Sequence, residues 1–135
     1  MESISYQQLL IVKDTLQQIH DAIIHLQEWN SEMETVNDLL TSPEGTKTLA
    51  ANCLLIEAIG EGFKKIDSRT NGQLLVLRPE IPWRQVMGMR DHIAHGYFDI
   101  NAELVWDVIN NDLPALSAAV DFFLESLFNL FDIEA

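Results

Sequence analysis

The 135 residues carry 21 acidic and 8 basic side chains, for a formal net charge of −13. Hydrophobic residues make up 47% of the chain, too many for a disordered segment, and a chain of this length buries enough surface for a core without disulfides or a structural metal, so residues 1–135 are expected to form one domain. One cysteine, Cys53, excludes an internal disulfide, no apolar run approaches membrane-spanning length, and Met1-Glu2-Ser3-Ile4-Ser5 lacks the basic-then-apolar pattern of a leader, all of which fits a cytoplasmic protein.

Tyr6, Leu9, Leu10, Leu16, Ile19, Ile23 and Leu26 return to one helical face and predict a long first helix ending near Trp29-Asn30-Ser31. Met33, Val36, Leu39 and Leu40 suggest a short second helix from about Glu32 to Thr41. Ser42-Pro43 is a start signal, a capping hydroxyl followed by a proline suited to the first helical position. The helix it opens should run through an almost wholly apolar middle to Asn71-Gly72, which implies a central place, and Cys53 in that middle reads as core. Gly60 and Gly62 interrupt it and point to close approach of another backbone, or to a kink.

Gln73 to Ile81 reads as a connector, and Pro82 opens a fourth helix carrying Trp83, Val86, Met87, Met89, Ile93 and Ala94 up to Gly96. Asp99-Ile100-Asn101 starts the next, and a last helix from about Asp112 holds Leu116, Val120, Phe123, Leu124, Leu127 and Phe128. Nothing alternates convincingly at period two and there is no internal repeat. The expected fold is all-α, an up-and-down helical bundle.

A net charge of −13 argues against a polyanionic substrate, but the charge is uneven. Residues 1–63 hold two basic and ten acidic groups, residues 91–135 none and nine, and residues 64–90 six and two. Lys64, Lys65, Arg69, Arg78, Arg84 and Arg90 are therefore the candidates for phosphate contacts. The polar peculiarity gathers in Arg90-Asp91-His92-Ile93-Ala94-His95-Gly96-Tyr97. On a continuous helix Asp91 and His95 share a face at i and i+4, where the carboxylate would orient the imidazole, while Arg90 and His95 diverge by about 140° and Tyr97 lies roughly 20° from Arg90. Arg90 then falls inside the apolar stripe, where its charge needs a carboxylate such as Glu57 or Glu61, a subunit interface or an anionic ligand. His92 and His95 at i and i+3 have no obvious third ligand, so no metal site and no cofactor are expected.

Arg90, His95 and Tyr97 spell R-x4-H-x-Y, with the polar Asp91 after the arginine, and this segment resembles the motif of the HEPN superfamily. Ile59-Gly60-Glu61-Gly62-Phe63-Lys64-Lys65, Pro79-Glu80-Ile81-Pro82-Trp83 and Val105-Trp106 are similar to their counterparts in its HepT-like family. The resemblance runs from about Leu49 to Leu116, the first helix matching only in character, and departs at Gly62, where alanine is expected. It implies a HEPN-type bundle and a metal-independent endoribonuclease, the toxin of a type VII-like toxin-antitoxin pair. Arg90 and His95 would face their copies across the cleft of a homodimer or of a larger assembly of dimers. A minimal nucleotidyltransferase antitoxin would silence it by transferring AMP to Tyr97. In such chemistry the RNA 2′-hydroxyl is the nucleophile, His95 moves protons with Asp91 in support, and Arg90 stabilises the phosphorane. The competing reading keeps the family but makes the chain a non-catalytic, substrate-binding accessory subunit of a nucleotidyltransferase.

Overall fold

Ser5 opens the first helix by accepting a hydrogen bond from the Gln8 N–H at 3.1 Å, and α1 then spans Tyr6–Trp29. A computed structural model describes the backbone of residues 3–131 and the side chains of residues 3–127; the leader reading at Met1-Glu2 and the apolar position Phe128 lie outside that range. The buried stripe of α1 is Leu9, Val12, Leu16, Ile19, Ile23 and Leu26, spaced by three and four. Tyr6 and Leu10, expected on that face, are exposed. Leu10 is turned about 100° from Leu9, and Tyr6 is the first residue of the helix.

The expected helix over Glu32–Thr41 is only a 3₁₀ turn at Val36–Leu39. The Asp38 carboxylate accepts from the N–H groups of Glu34 and Thr35 at 2.7 and 3.0 Å, which ties the segment into a local turn and holds that carboxyl below its ordinary range. Ser42 accepts from the Gly45 N–H at 2.9 Å, and with Pro43 at its first position α2 spans Pro43–Arg69. This helix packs against α1 and against every later helix up to residue 107, so its apolar middle is central. Asn30, just past α1, and Asn52 of α2 exchange two side-chain hydrogen bonds, each 2.9 Å, inside the core. Burying two amides is tolerated because each satisfies the other.

Gly60 is where α2 meets the next segment: a Cβ there would stand 2.9 Å from the Val86 carbonyl oxygen. A backbone atom has nowhere to retreat. Gly60→Ala is therefore expected to destabilise the fold, the overpacking cost of about 1–3 kcal/mol exceeding the gain in helix propensity of up to about 1 kcal/mol; urea melts of the two proteins measure it. Gly62 is different, since a Cβ there meets the end of the Ile19 side chain, which can rotate away.

The connector contains a 3₁₀ turn at Leu75–Leu77, with Leu74 and Leu75 buried. The expected fourth helix is two short ones, α3 at Trp83–Met87 and α4 at Met89–Ile93. They are separated by Gly88, whose backbone at φ −105, ψ 13 leaves the helical region. Asn101 caps α5, Ala102–Asp107, by accepting from Leu104 N–H at 3.1 Å. The last two helices are not separate: a π-helical turn at Val108–Asp112 carries α5 directly into α6, Leu113–Phe131. Phe63 of α2, Trp83 of α3 and Phe123 of α6 pack in series as tilted rings, with centroids 4.9 and 5.7 Å apart. One contiguous apolar cluster joins all six helices, giving the expected all-α bundle of HEPN type. No helix among the described residues is long and apolar enough to cross a membrane.

Candidate active site

The motif segment changes conformation in its middle. α4 stops at Ile93, and Ala94 is extended and pairs with Ile100 in an isolated antiparallel bridge. The Asn101 N–H donates to the Ile93 carbonyl at 2.7 Å, His95 N–H to Asp99 at 3.0 Å, and Asp99 N–H to Gly96 at 3.2 Å. Gly96, at φ +104, takes a conformation that only glycine adopts without strain. His95, Gly96, Tyr97 and Phe98 are thus the tip of a closed, hydrogen-bonded loop, and all four are exposed.

The helical wheel therefore fails for the second half of the motif. His95 lies outside α4, so it has no i, i+4 relation to Asp91 and no i, i+3 relation to His92; Asp91 is exposed on the helix itself. Nor is Arg90 inside an apolar stripe: its side chain is 64% exposed, and the break at Gly88 interrupts the continuous helix on which that stripe was drawn. The carboxylate expected beside it is present. Glu57 Oε1 lies 3.3 Å from Arg90 Nη1, so the arginine is held by one exposed ion pair and retains most of its fork for a ligand.

Arg90 and Tyr97 do share one pocket, by tertiary rather than helical geometry. Both line a pocket of about 220 Å³ with Glu57, Cys53, Leu54 and Ile93. Cys53 is half-buried there, and burial pushes its thiol pKa up, away from a reactive thiolate. Tyr97 is 67% exposed over the pocket mouth. His95 does not line it. Ile93 also lines a larger cleft on the other side of α4, so this five-residue helix is a partition between two cavities.

The model of the family described as "Ribonuclease HepT-like" matches residues 19–122, which contain the whole motif. The chain belongs to the HepT-like ribonuclease family. It is 35% identical over 104 residues to a "Probable ribonuclease HepT" of Thermococcus cleftensis, covering 77% of this chain and 87% of that one. A putative RNase of Methanocaldococcus jannaschii is 34% identical over half of this chain and 53% of its own length, and one of Caldanaerobacter subterraneus 30% identical over 52% and 59%. No solved structure gives a significant match.

Around this HepT-like motif the other basic residues take separate places. Lys64 stands seven positions after Glu57 on the same face of α2, about 10 Å along the axis, and pairs with Glu61 at 3.5 Å. Lys65 and Arg84 are exposed and have no ion pair among the described residues. Arg69 donates to Gln8 at 3.0 Å. Arg78 is engaged within the fold, 2.7 Å from Glu80 and over the Phe122 ring. The positive stretch of sequence is thus dispersed over several partners. Sequence reading gave no role to Phe98, which is 98% exposed with the Tyr97 ring edge-on at 5.2 Å. Its signal was a large apolar residue placed between Gly96 and Asp99, outside any helical period. No group of three or more His, Cys, Asp or Glu among the described residues is placed to hold a metal ion.

Proposed function

We propose that the chain is a metal-independent endoribonuclease whose site is completed by a second copy, that it is the toxin of a type VII-like toxin-antitoxin pair, and that AMP transfer to Tyr97 switches it off. The observation that supports this best is the exposed Arg90 guanidinium sharing a solvent-open pocket with Tyr97, beside a hydrogen-bonded loop that presents His95. Arg90 binds the scissile phosphate and stabilises the charge that grows on it. His95 takes the 2′-hydroxyl proton and returns a proton to the leaving 5′-oxygen, yielding a 2′,3′-cyclic phosphate and a 5′-hydroxyl. Lys64, Lys65 and Arg84 are the further phosphate contacts; Arg69 and Arg78 must first leave their partners.

His95 does not line the pocket of its own Arg90, which favours a homodimer in which one copy's histidine serves the other's arginine. Leu54, Tyr97 and Phe98 supply exposed apolar surface for such a contact. RNA and DNA of one sequence, incubated with the protein in EDTA, test the reaction: RNA should be cut and DNA left intact. A chain that remains monomeric at micromolar concentration and still cuts RNA overturns the shared site.

The AMP switch rests on the same pocket. An AMP group on Tyr97 would bring its own phosphate against Arg90 and fill the space the RNA phosphate needs. Incubation with ATP and a minimal nucleotidyltransferase partner should add AMP-sized mass to the wild-type chain and none to Tyr97→Phe, with cleavage falling in step. Modification of Tyr97→Phe to the same extent would remove Tyr97 from the switch.

A further inference from the structure

On the far side of α4 from Arg90 lies a cleft of about 510 Å³, between α3 and α4 on one wall and α5, the π-helical turn and α6 on the other. This is the size of a small-molecule site. Its floor is buried and apolar, formed by Val86, Met89, Ile93, Val108 and Leu116. Its unpaired charged groups are two carboxylates, Asp107 just before the π-helical turn and Asp112 at its last residue; Glu80, at the end of the connector, is already paired with Arg78, and no lysine or arginine lines the cleft. His92 is the one lining group able to become a cation.

We propose that this cleft is a second ligand site, taking a small organic cation with an apolar body: an amine or guanidine whose charge sits between Asp107 and Asp112 and whose body covers Met89 and Val108. The electrostatics are unbalanced in the direction such a ligand corrects. Burial and the charge of Asp107 push the Asp112 carboxyl above its ordinary range, so the fold brings the two carboxylates together and supplies no lysine or arginine inside the cleft to offset them. Asn111 donates to Asp107 Oδ1, fixing that carboxylate and leaving its second oxygen to accept from a ligand. The π-helical turn sets this arrangement, since an i to i+5 turn alters the register at which side chains emerge from an otherwise continuous helix. The lining is not that of a divalent-cation site, which needs several converging oxygens, and no such group of residues exists among those described.

Three probes with a similar aromatic body test the proposal: phenethylamine, phenethyl alcohol and phenylpropionate, each titrated into the isotope-labelled protein and followed by methyl and amide NMR shifts. Phenethylamine is expected to give saturable shifts centred on Met89, Val108 and Ala115, phenylpropionate none, and phenethyl alcohol at least about tenfold weaker binding, as expected for loss of a charge-assisted contact. Asp107→Asn and Asp112→Asn should each weaken phenethylamine by about tenfold, with unchanged circular dichroism, while Asp21→Asn, at an exposed position of α1, should leave it unchanged. Equal binding of the alcohol and the amine, indifference to both cleft substitutions, an equal loss in Asp21→Asn, or the same saturable shifts with Ca²⁺ alone would each overturn it. None of these readouts depends on RNA cleavage, so the site stands or falls apart from the proposed reaction.

Discussion

His95→Ala is expected to cleave RNA in EDTA about 10²–10⁴-fold more slowly than the wild-type chain, the range that a positioned general acid-base group contributes. The structure makes this a clean test. His95 is exposed at the tip of the loop, and the bond that closes the loop uses its backbone N–H, which alanine retains. The variant should therefore melt within about 0.5 kcal/mol of the wild type. Unchanged cleavage by the folded variant would remove His95 from the mechanism. A large loss of stability would instead mean that the side chain supports the loop.

Arg90→Ala is expected to cost about 10²–10³-fold in cleavage, comparable to removing a donor aimed at a developing oxyanion. Read on a helical wheel, Arg90 belonged in the apolar stripe, and its removal would have stranded a buried carboxylate. With the guanidinium 64% exposed and Glu57 37% exposed, the pair is screened by water, and its loss should lower stability by less than about 1 kcal/mol. Arg90→Lys keeps the charge but loses the planar fork, so it should bind RNA while recovering only part of the rate. Cleavage rates, RNA affinity and melting curves measured together separate these effects. A lysine variant with the full rate would reduce Arg90 to a point charge.

What the sequence made legible was what nearest neighbours decide. Ser42-Pro43 and Asn101 are capping signals whose hydrogen bonds are local, and both helices start where these residues place them. The long buried stripe of α1 and the close approach at Gly60 follow from spacing and side-chain size. The motif itself was readable by resemblance, and the HepT-like family match agrees with it. Its geometry was not readable. The apolar period of Trp83, Val86, Met87, Ile93 and Ala94 continues through Gly88 to Ala94 and outweighed the glycine, the one local sign of the first break, while nothing at Ile93 marks the second. What ends α4 is a bridge to Ile100 and a hydrogen bond from Asn101, partners six and eight residues on. The wheel angles assigned to His95 and Tyr97 fail for that reason. Arg90 and Tyr97 still line one pocket, together with Cys53, Leu54 and Glu57 of α2, an arrangement no periodicity encodes.

The thinness of α4 sets how substitutions near it are to be read. Five residues are too few to hold a helix in water by themselves, so its position is fixed by the packing of Met89 and Ile93 into the core, and Ile93 also lines both cavities. Trimming Met89 on the cleft side is expected to shift α4 and with it Arg90, one residue later in the chain. In a mutational scan scored by RNA cleavage, such a residue is expected to rank with the motif although it lies outside the pocket shared by Arg90 and Tyr97. Activity alone thus cannot draw the border of the RNA-binding surface on this side of the molecule; a map of direct contacts, such as crosslinks to bound RNA, can.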